Sequence, residues 1–154
     1  NMRWGLVGAV VMTVVMISVV MGWDASARPE GLRLLGDLLW LGIVYGVLDA
    51  LFLSVFPVVA VWRAFAPYNH GWTGKIAIGV VAFLASMLVT ASYHLGYPEF
   101  RGTAVGDPVL GNGVMTLGYL LTANPITAIG GHIALHVASV LHGLATSVSL
   151  PPHY

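Results

Sequence analysis

The chain has 154 residues, of which 58% are hydrophobic and 8% are charged, and six basic side chains balance six acidic ones. Soluble domains carry about 25% charged residues, and a fold of this size cannot bury so much apolar surface, because small domains leave much of their area exposed. Zero net charge excludes the basic surface of a nucleic-acid-binding protein, and the absence of cysteine excludes disulfides and Cys-ligated metal centres. We therefore expect an all-α integral membrane helical bundle whose surroundings are the lipid bilayer.

The first two apolar runs predict two membrane spans. The first covers roughly residues 5–22 and exceeds the about 7–15 residues of a signal-peptide core, so we expect a retained span. The second, residues 38–62, follows a polar loop at 24–33 and reaches about 37 Å as a helix, enough for a hydrocarbon core of about 30 Å. Pro57 in this run predicts a kink or local unwinding. Gly42 and Gly46 form a G-x-x-x-G pattern, which indicates close helix packing.

The second half of the chain leaves two topologies open. A third span is predicted at 76–96, between loops at 63–75 and 98–108. Asn124-Pro125 is a helix-start signature, because Asn caps helices and Pro suits the first helical position, so we expect a last helix at 126–148. The segment 109–123 is then a short fourth span or a re-entrant half-helix. We favour five spans in one domain, 1–154, in the plasma membrane, with a homo-oligomer or a larger membrane complex as candidate assemblies.

Three residues predict a polar site at the centre of the bundle. Asp49 lies near the middle of the second span, where a lipid-facing carboxylate is costly, so it should point inward. His132 and His136 are four residues apart and share one helical face, the spacing by which one helix supplies two imidazoles to a metal. Asp49, His132 and His136 are therefore the predicted central site, with the two histidines as candidate metal ligands. The alternative is that these histidines only pack and form single hydrogen bonds.

A second polar group is predicted nearer one membrane interface. His94 and His142 fall at similar depth on their helices, next to the loop at 98–108. Paired histidines at matched depth are also a pattern for haem ligation, while interfacial anchoring is the alternative for His94. The loop adds three charged residues to this outer site: Glu99, Arg101 and Asp107.

One ordered pattern resembles a known family. Thr90-x-x-x-His94, then Asp107, then His132-x-x-x-His136 is similar to the S-x-x-x-H, D, H-x-x-x-H order of the alkaline ceramidase and adiponectin-receptor superfamily. That family consists of seven-span zinc hydrolases acting on lipid amides. This chain has fewer predicted spans, Thr in place of Ser, and Asp107 in a predicted loop. The resemblance implies an intramembrane zinc hydrolase.

The functional expectation has two branches. The first is an accessory, transport or ligand-binding module built on the central site. The second is a zinc hydrolase, or a subunit that binds haem or another pigment through His132 and His136. Zinc and haem are thus the candidate cofactors. Phosphate-binding loops, dinucleotide-binding glycine patterns and serine-hydrolase motifs are absent from the sequence.

Overall fold

A computed structural model describes residues 1–143, and this part of the chain consists of helices joined by short connections, without β-strands. Five helices form the bundle, and short 3₁₀ turns lie in the connections at Ala66–Tyr68, Pro98–Phe100 and Gly102–Val105. The helices are α1 (Met2–Met21), α2 (Gly31–Ala64), α3 (Gly71–His94), α4 (Gly106–Thr122) and α5 (Ile126–His142).

The lengths of the helices support a membrane bundle but not a definite number of spans. The helices α1, α2 and α3 are long and apolar enough to cross a membrane, whereas α5 is a shorter apolar helix. Both α4 and α5 have 17 residues. Large apolar side chains on the three long helices, such as Val10, Leu48 and Leu88, point away from the protein interior. This is the arrangement of helices that face lipid, because lipid is as apolar as a protein core.

Several helix boundaries differ from the sequence-based predictions. Helix α2 begins at Gly31, inside the predicted loop at 24–33, and α3 begins at Gly71 and ends at His94, whereas 76–96 was expected. Apolar run length misses these starts because the first turns of α2 and α3 contain glycine and polar residues, which interrupt the apolar runs. Gly31 and Gly71 have φ of +58° and +64°, a left-handed conformation that glycine adopts without strain. The predicted loop at 98–108 ends early, and Asp107 lies in the first turn of α4.

The helix break near Asn124 is confirmed. Helix α4 ends at Thr122, Ala123 adopts left-handed φ and ψ of 48° and 38°, and α5 begins at Ile126. The side-chain oxygen of Asn124 accepts a hydrogen bond from the Ile126 N–H at 3.0 Å, which satisfies a donor that helix starts leave free. The segment 109–123 is therefore a full helix that turns back tightly into α5. The predicted continuation of α5 to residue 148 lies partly outside the described residues.

Helix α2 passes through Pro57 without ending. Two of its segments, Leu38–Val44 and Ala50–Val55, are π-helical, and they flank the α-helical turn Tyr45–Asp49. Pro57 has no N–H to donate to the carbonyl of Leu53, four residues earlier. Instead, the Ser86 hydroxyl donates to this carbonyl at 2.6 Å. The local unwinding predicted at Pro57 thus takes the form of a wider helix with a carbonyl turned to a neighbouring helix.

Helix α5 lies at the centre of the bundle and packs on α1, α2 and α4. Glycines allow this close approach: a Cβ on Gly46 would lie 2.8 Å from Ile133 Cα, and a Cβ on Gly130 would lie 2.9 Å from Ala9 Cβ. Gly42 faces Val137 in the same way. The G-x-x-x-G pattern of α2 therefore contacts the histidine-bearing helix directly, which places the chain on either side of Gly46 within reach of the imidazoles.

Candidate functional site

The first contact of the site joins α2 to α5. His136 Nε2 lies 3.1 Å from Asp49 Oδ2, and the side chains are 4% and 17% exposed. Asp49 is three residues beyond Gly46, so the tight glycine contact holds its helix close to α5. The Asp49 carboxylate, which would be disfavoured against lipid, thus points into the bundle and has a polar partner.

The second contact joins α4 to α5. His132 is 2% exposed, and its Nε2 lies 3.1 Å from Oδ1 of Asn112. Asn112 is itself fully enclosed, in a glycine-flanked stretch of α4 where Gly113 contacts Met87. Each of the two histidines therefore contacts a side-chain oxygen from a different neighbouring helix.

Asn112 is the centre of a buried hydrogen-bond network between α2, α3 and α4. Its amide nitrogen donates to Thr90 Oγ1 at 2.6 Å and to Ser86 Oγ at 3.1 Å, and its oxygen accepts from Ser54 Oγ at 2.7 Å. Thr116 Oγ1 lies 2.8 Å from Ser54 Oγ and 2.9 Å from Ser86 Oγ. All of these side chains are buried. A network that is satisfied in this way is rigid and holds its members in fixed positions.

The central residues converge on one point. One oxygen of Asp49 and one ring nitrogen each of His132 and His136 lie within 4.8 Å of one another, and this is the group of metal-binding type found among residues 1–143. The Nδ1 atoms of both histidines are buried and have no hydrogen-bond partner in that part of the chain. Two imidazoles that each keep one nitrogen unpartnered, next to a carboxylate, are a donor set for a transition-metal ion.

Aromatic side chains lie beside this site. The ring of Tyr45 is 5.8 Å from that of His136, and its hydroxyl lies 2.9 Å from the hydroxyl of Tyr93. Tyr93 in turn stacks edge-on against His94 at 5.0 Å. Tyr45 therefore links the ring of His136 on α5 to Tyr93 on α3.

Two residues of the predicted outer site, His142 and His94, contact carbonyl oxygens of different helical segments. His142 Nε2 lies 2.8 Å from the carbonyl oxygen of Trp23, whereas His94 is buried and its Nδ1 contacts the carbonyl of Thr90 at 2.8 Å. Arg101 and Asp107 are exposed, and Glu99 is partly buried in the 3₁₀ turn before Phe100. None of these residues belongs to the converging group described above. Asp107, the aspartate of the pattern that resembles the hydrolase family, lies at the exposed start of α4.

Sequence reasoning missed the polar network and its centre, Asn112. A signal was present on α3, where the buried residues recur every fourth position, so that Ser86, Thr90 and His94 mark an inward polar face. Asn112 and Thr116 show the same spacing on α4. Polar side chains that repeat every four residues in an apolar helix indicate a buried face, because lipid disfavours them elsewhere.

Together, the fold and the site define a helical bundle with apolar helices that could span a membrane, which is consistent with a membrane location, and with an Asp/His group in its interior. Comparison with known proteins returns no matching family model, no matching curated protein and no matching solved structure.

Proposed function

We propose that this protein is a membrane-embedded binding module for a divalent transition-metal ion, held by Asp49, His132 and His136. The observation that carries the proposal is the convergence of one donor atom from each residue within 4.8 Å, together with a buried, unpartnered ring nitrogen on each histidine. Nitrogen and carboxylate donors without thiolates suit zinc and its neighbours better than Cu(I).

The spacing of the donors is compatible with a metal after a small movement. Ligands at 2.0–2.1 Å from a tetrahedral zinc ion lie about 3.3 Å apart, whereas the three donor atoms here lie within 4.8 Å of one another. The donor atoms would have to approach one another by up to about 1.5 Å, which side-chain rotation can supply. A mixed set of two neutral imidazoles and one carboxylate also leaves a single positive charge on a divalent complex, which limits the cost of burial.

A zinc binding test separates this site from other histidines. Purified protein in lipid nanodiscs is incubated with Zn²⁺, desalted and analysed for metal, and the affinity is measured by competition with a chelating dye. We expect the wild type to retain one equivalent of zinc. In His136→Gln the zinc affinity should be at least about tenfold weaker, so that zinc is lost on desalting. His70→Gln should retain zinc like the wild type, because His70 is exposed in a loop. Equal zinc binding by both variants would contradict the proposal.

A metal-dependent hydrolase is the second candidate, favoured by the number of ligands. Three protein donors are characteristic of catalytic zinc sites, which keep the fourth position for water, whereas structural sites use four. A zinc-bound water acts as a nucleophile at neutral pH. Turnover of a panel of lipid amides and esters by the zinc-loaded protein, abolished in His136→Gln, would support the hydrolase; stoichiometric zinc without turnover supports the binding module.

We further propose five spans in the plasma membrane. Helices of 17 residues reach about 26 Å, close to a hydrocarbon core of about 30 Å, and modest local thinning supplies the difference. The natural chain has no cysteine, so single cysteines report topology directly. Ala25→Cys and Thr103→Cys should react with an impermeant reagent from one side, and Asn69→Cys and Ala123→Cys from the other. Failure of Ala123→Cys to react from either side would favour a re-entrant hairpin, and cell fractionation tests the membrane itself.

A further inference from the structure

The geometry points to Nδ1 of His132 as the nitrogen that faces the proposed metal, and to Asn112 as the residue that positions it. This inference rests on the proposed function, since it names the ligand atom of that same site. Its own basis is the hydrogen-bond network around Asn112, which determines how this amide is oriented and, through it, which nitrogen of His132 carries the proton.

The orientation of the Asn112 amide follows from its neighbours. Its nitrogen lies 3.4 Å from the carbonyl oxygen of Leu53 and 2.6 Å from Thr90 Oγ1. The Leu53 carbonyl can only accept, and the Thr90 hydroxyl already donates to the Ser86 carbonyl at 2.9 Å. Both positions therefore require a donor. A flipped amide would place an oxygen against two acceptors, so the side-chain oxygen must point to the opposite side, toward His132.

The proton position on His132 follows from that orientation. The amide oxygen of Asn112 is an acceptor without hydrogens, so the His132 Nε2 atom at 3.1 Å must carry the proton. Ser54 donates to the same oxygen at 2.7 Å and fills its second lone pair. In the neutral imidazole, Nδ1 then holds the free lone pair, and a proton there would be buried without an acceptor in the described part of the chain.

This arrangement matches the chemistry of metal-bound histidine. A ligating imidazole donates its other N–H to a carbonyl or carboxylate, which determines both its tautomer and its ring direction. For His132 the acceptor is the Asn112 amide oxygen, and hydroxyls of α2 and α3 hold the amide in place. Asn112 is thus a positioning residue that acts through the imidazole, and it does not touch the metal itself.

The experiment first determines the tautomer of His132 in the metal-free protein and then measures zinc affinity. Histidine is labelled with ¹⁵N, and the metal-free protein in nanodiscs is examined by NMR, with the His132 signals assigned from their loss in His132→Asn. We expect the proton on Nε2 in the wild type. In Asn112→Leu we expect the Nδ1–H form to become detectable and zinc to bind about 10–100-fold more weakly.

A matched control separates positioning from stability. Thr116→Val breaks contacts in the same network, to Ser54 and Ser86, without touching His132, so it should lower stability but leave the tautomer unchanged and zinc affinity within about threefold. A wild-type His132 with its proton on Nδ1, or an unchanged tautomer in Asn112→Leu, overturns the inference.

The outcomes also distinguish this inference from the proposed function. If Asn112→Leu does not fold, the wild-type spectrum alone decides, because it reports the proton position directly. Zinc binding with the proton on Nδ1 would overturn the tautomer assignment only. The expected tautomer without any zinc binding would overturn the proposed metal module, while the positioning of His132 by Asn112 would stand.

Discussion

Replacing Gly46 by alanine tests whether the distance between α2 and α5 controls the site. The added Cβ would lie 2.8 Å from Ile133 Cα and 3.1 Å from the carbonyl oxygen of His132, whereas ordinary contacts begin at 3.4 Å. Because the opposing atoms are backbone, they cannot rotate away, and the helices must separate locally by about 0.6 Å. A similar lengthening takes the 3.1 Å contact between Asp49 and His136 to about 3.7 Å, beyond hydrogen-bonding distance.

The expected consequences are a loss of stability and a loss of zinc binding. Overpacking of this kind costs about 1–3 kcal/mol, measured as a shift in the unfolding equilibrium in mixed micelles. Zinc affinity, measured by dye competition, should fall at least about tenfold, since the carboxylate no longer meets the imidazole.

Two other glycines of α2 serve as controls for Gly46→Ala. A Cβ on Gly36 meets no atom within 4 Å, and a Cβ on Gly42 meets first the Val137 side chain at 2.9 Å. Gly36→Ala should be neutral or stabilising by up to about 1 kcal/mol through helix propensity, and Gly42→Ala should be intermediate because a side chain can yield. Wild-type stability and zinc affinity in Gly46→Ala would refute the reasoning.

Three further predictions concern single polar groups. Asp49→Leu should lower the free energy of unfolding by about 1–3 kcal/mol, because it leaves a buried imidazole N–H unpaired, and it should abolish zinc retention. Asp49→Asn keeps an acceptor and should have a milder effect on stability; equal effects of the two variants would contradict this. Ser86→Ala should destabilise the wild type more than it destabilises the Pro57→Ala variant, because in that variant a new backbone N–H can donate to the Leu53 carbonyl. A double-mutant cycle without coupling between the two positions would show that the Ser86 hydroxyl does not replace the missing N–H of Pro57. Ser139 has a buried hydroxyl with no partner among residues 1–143, so Ser139→Ala should be neutral or stabilising by thermal unfolding, and a loss above about 1 kcal/mol would disprove the assignment.

Apolar run length and the helical repeat were sufficient to predict the helices and the histidine face. Run length places the interior of each long helix because the hydrocarbon core sets how many apolar residues a span needs, and the spacing of His132 and His136 requires one shared face. The same signals fail at helix ends, where Gly31 and Gly71 start helices by backbone conformation.

The partners of the site residues could not be predicted from spacing. Asn112 contacts His132 because of the distance and rotation between two helices, and these depend on small-residue contacts such as Gly113 against Met87. The position of a residue along its helix predicts its depth in the bundle, but it does not predict which residues of other helices it contacts. In the same way, spacing predicted neither the Thr90 carbonyl as a partner of His94 nor the Trp23 carbonyl as a partner of His142.

The central position of α5 has a consequence for biogenesis. Both histidines lie on this helix, and it is made last among the five, so the partner of Asp49 leaves the ribosome after α1 to α4. Chains are synthesised at about 5–20 residues per second, so in a membrane Asp49 would be without its partner His136 for roughly 4–17 s. Unpaired polar groups in that environment favour delayed release into lipid or shielding by a chaperone of insertion. Completion of the Asp49–His136 contact therefore waits for α5, the last of the five helices among residues 1–143.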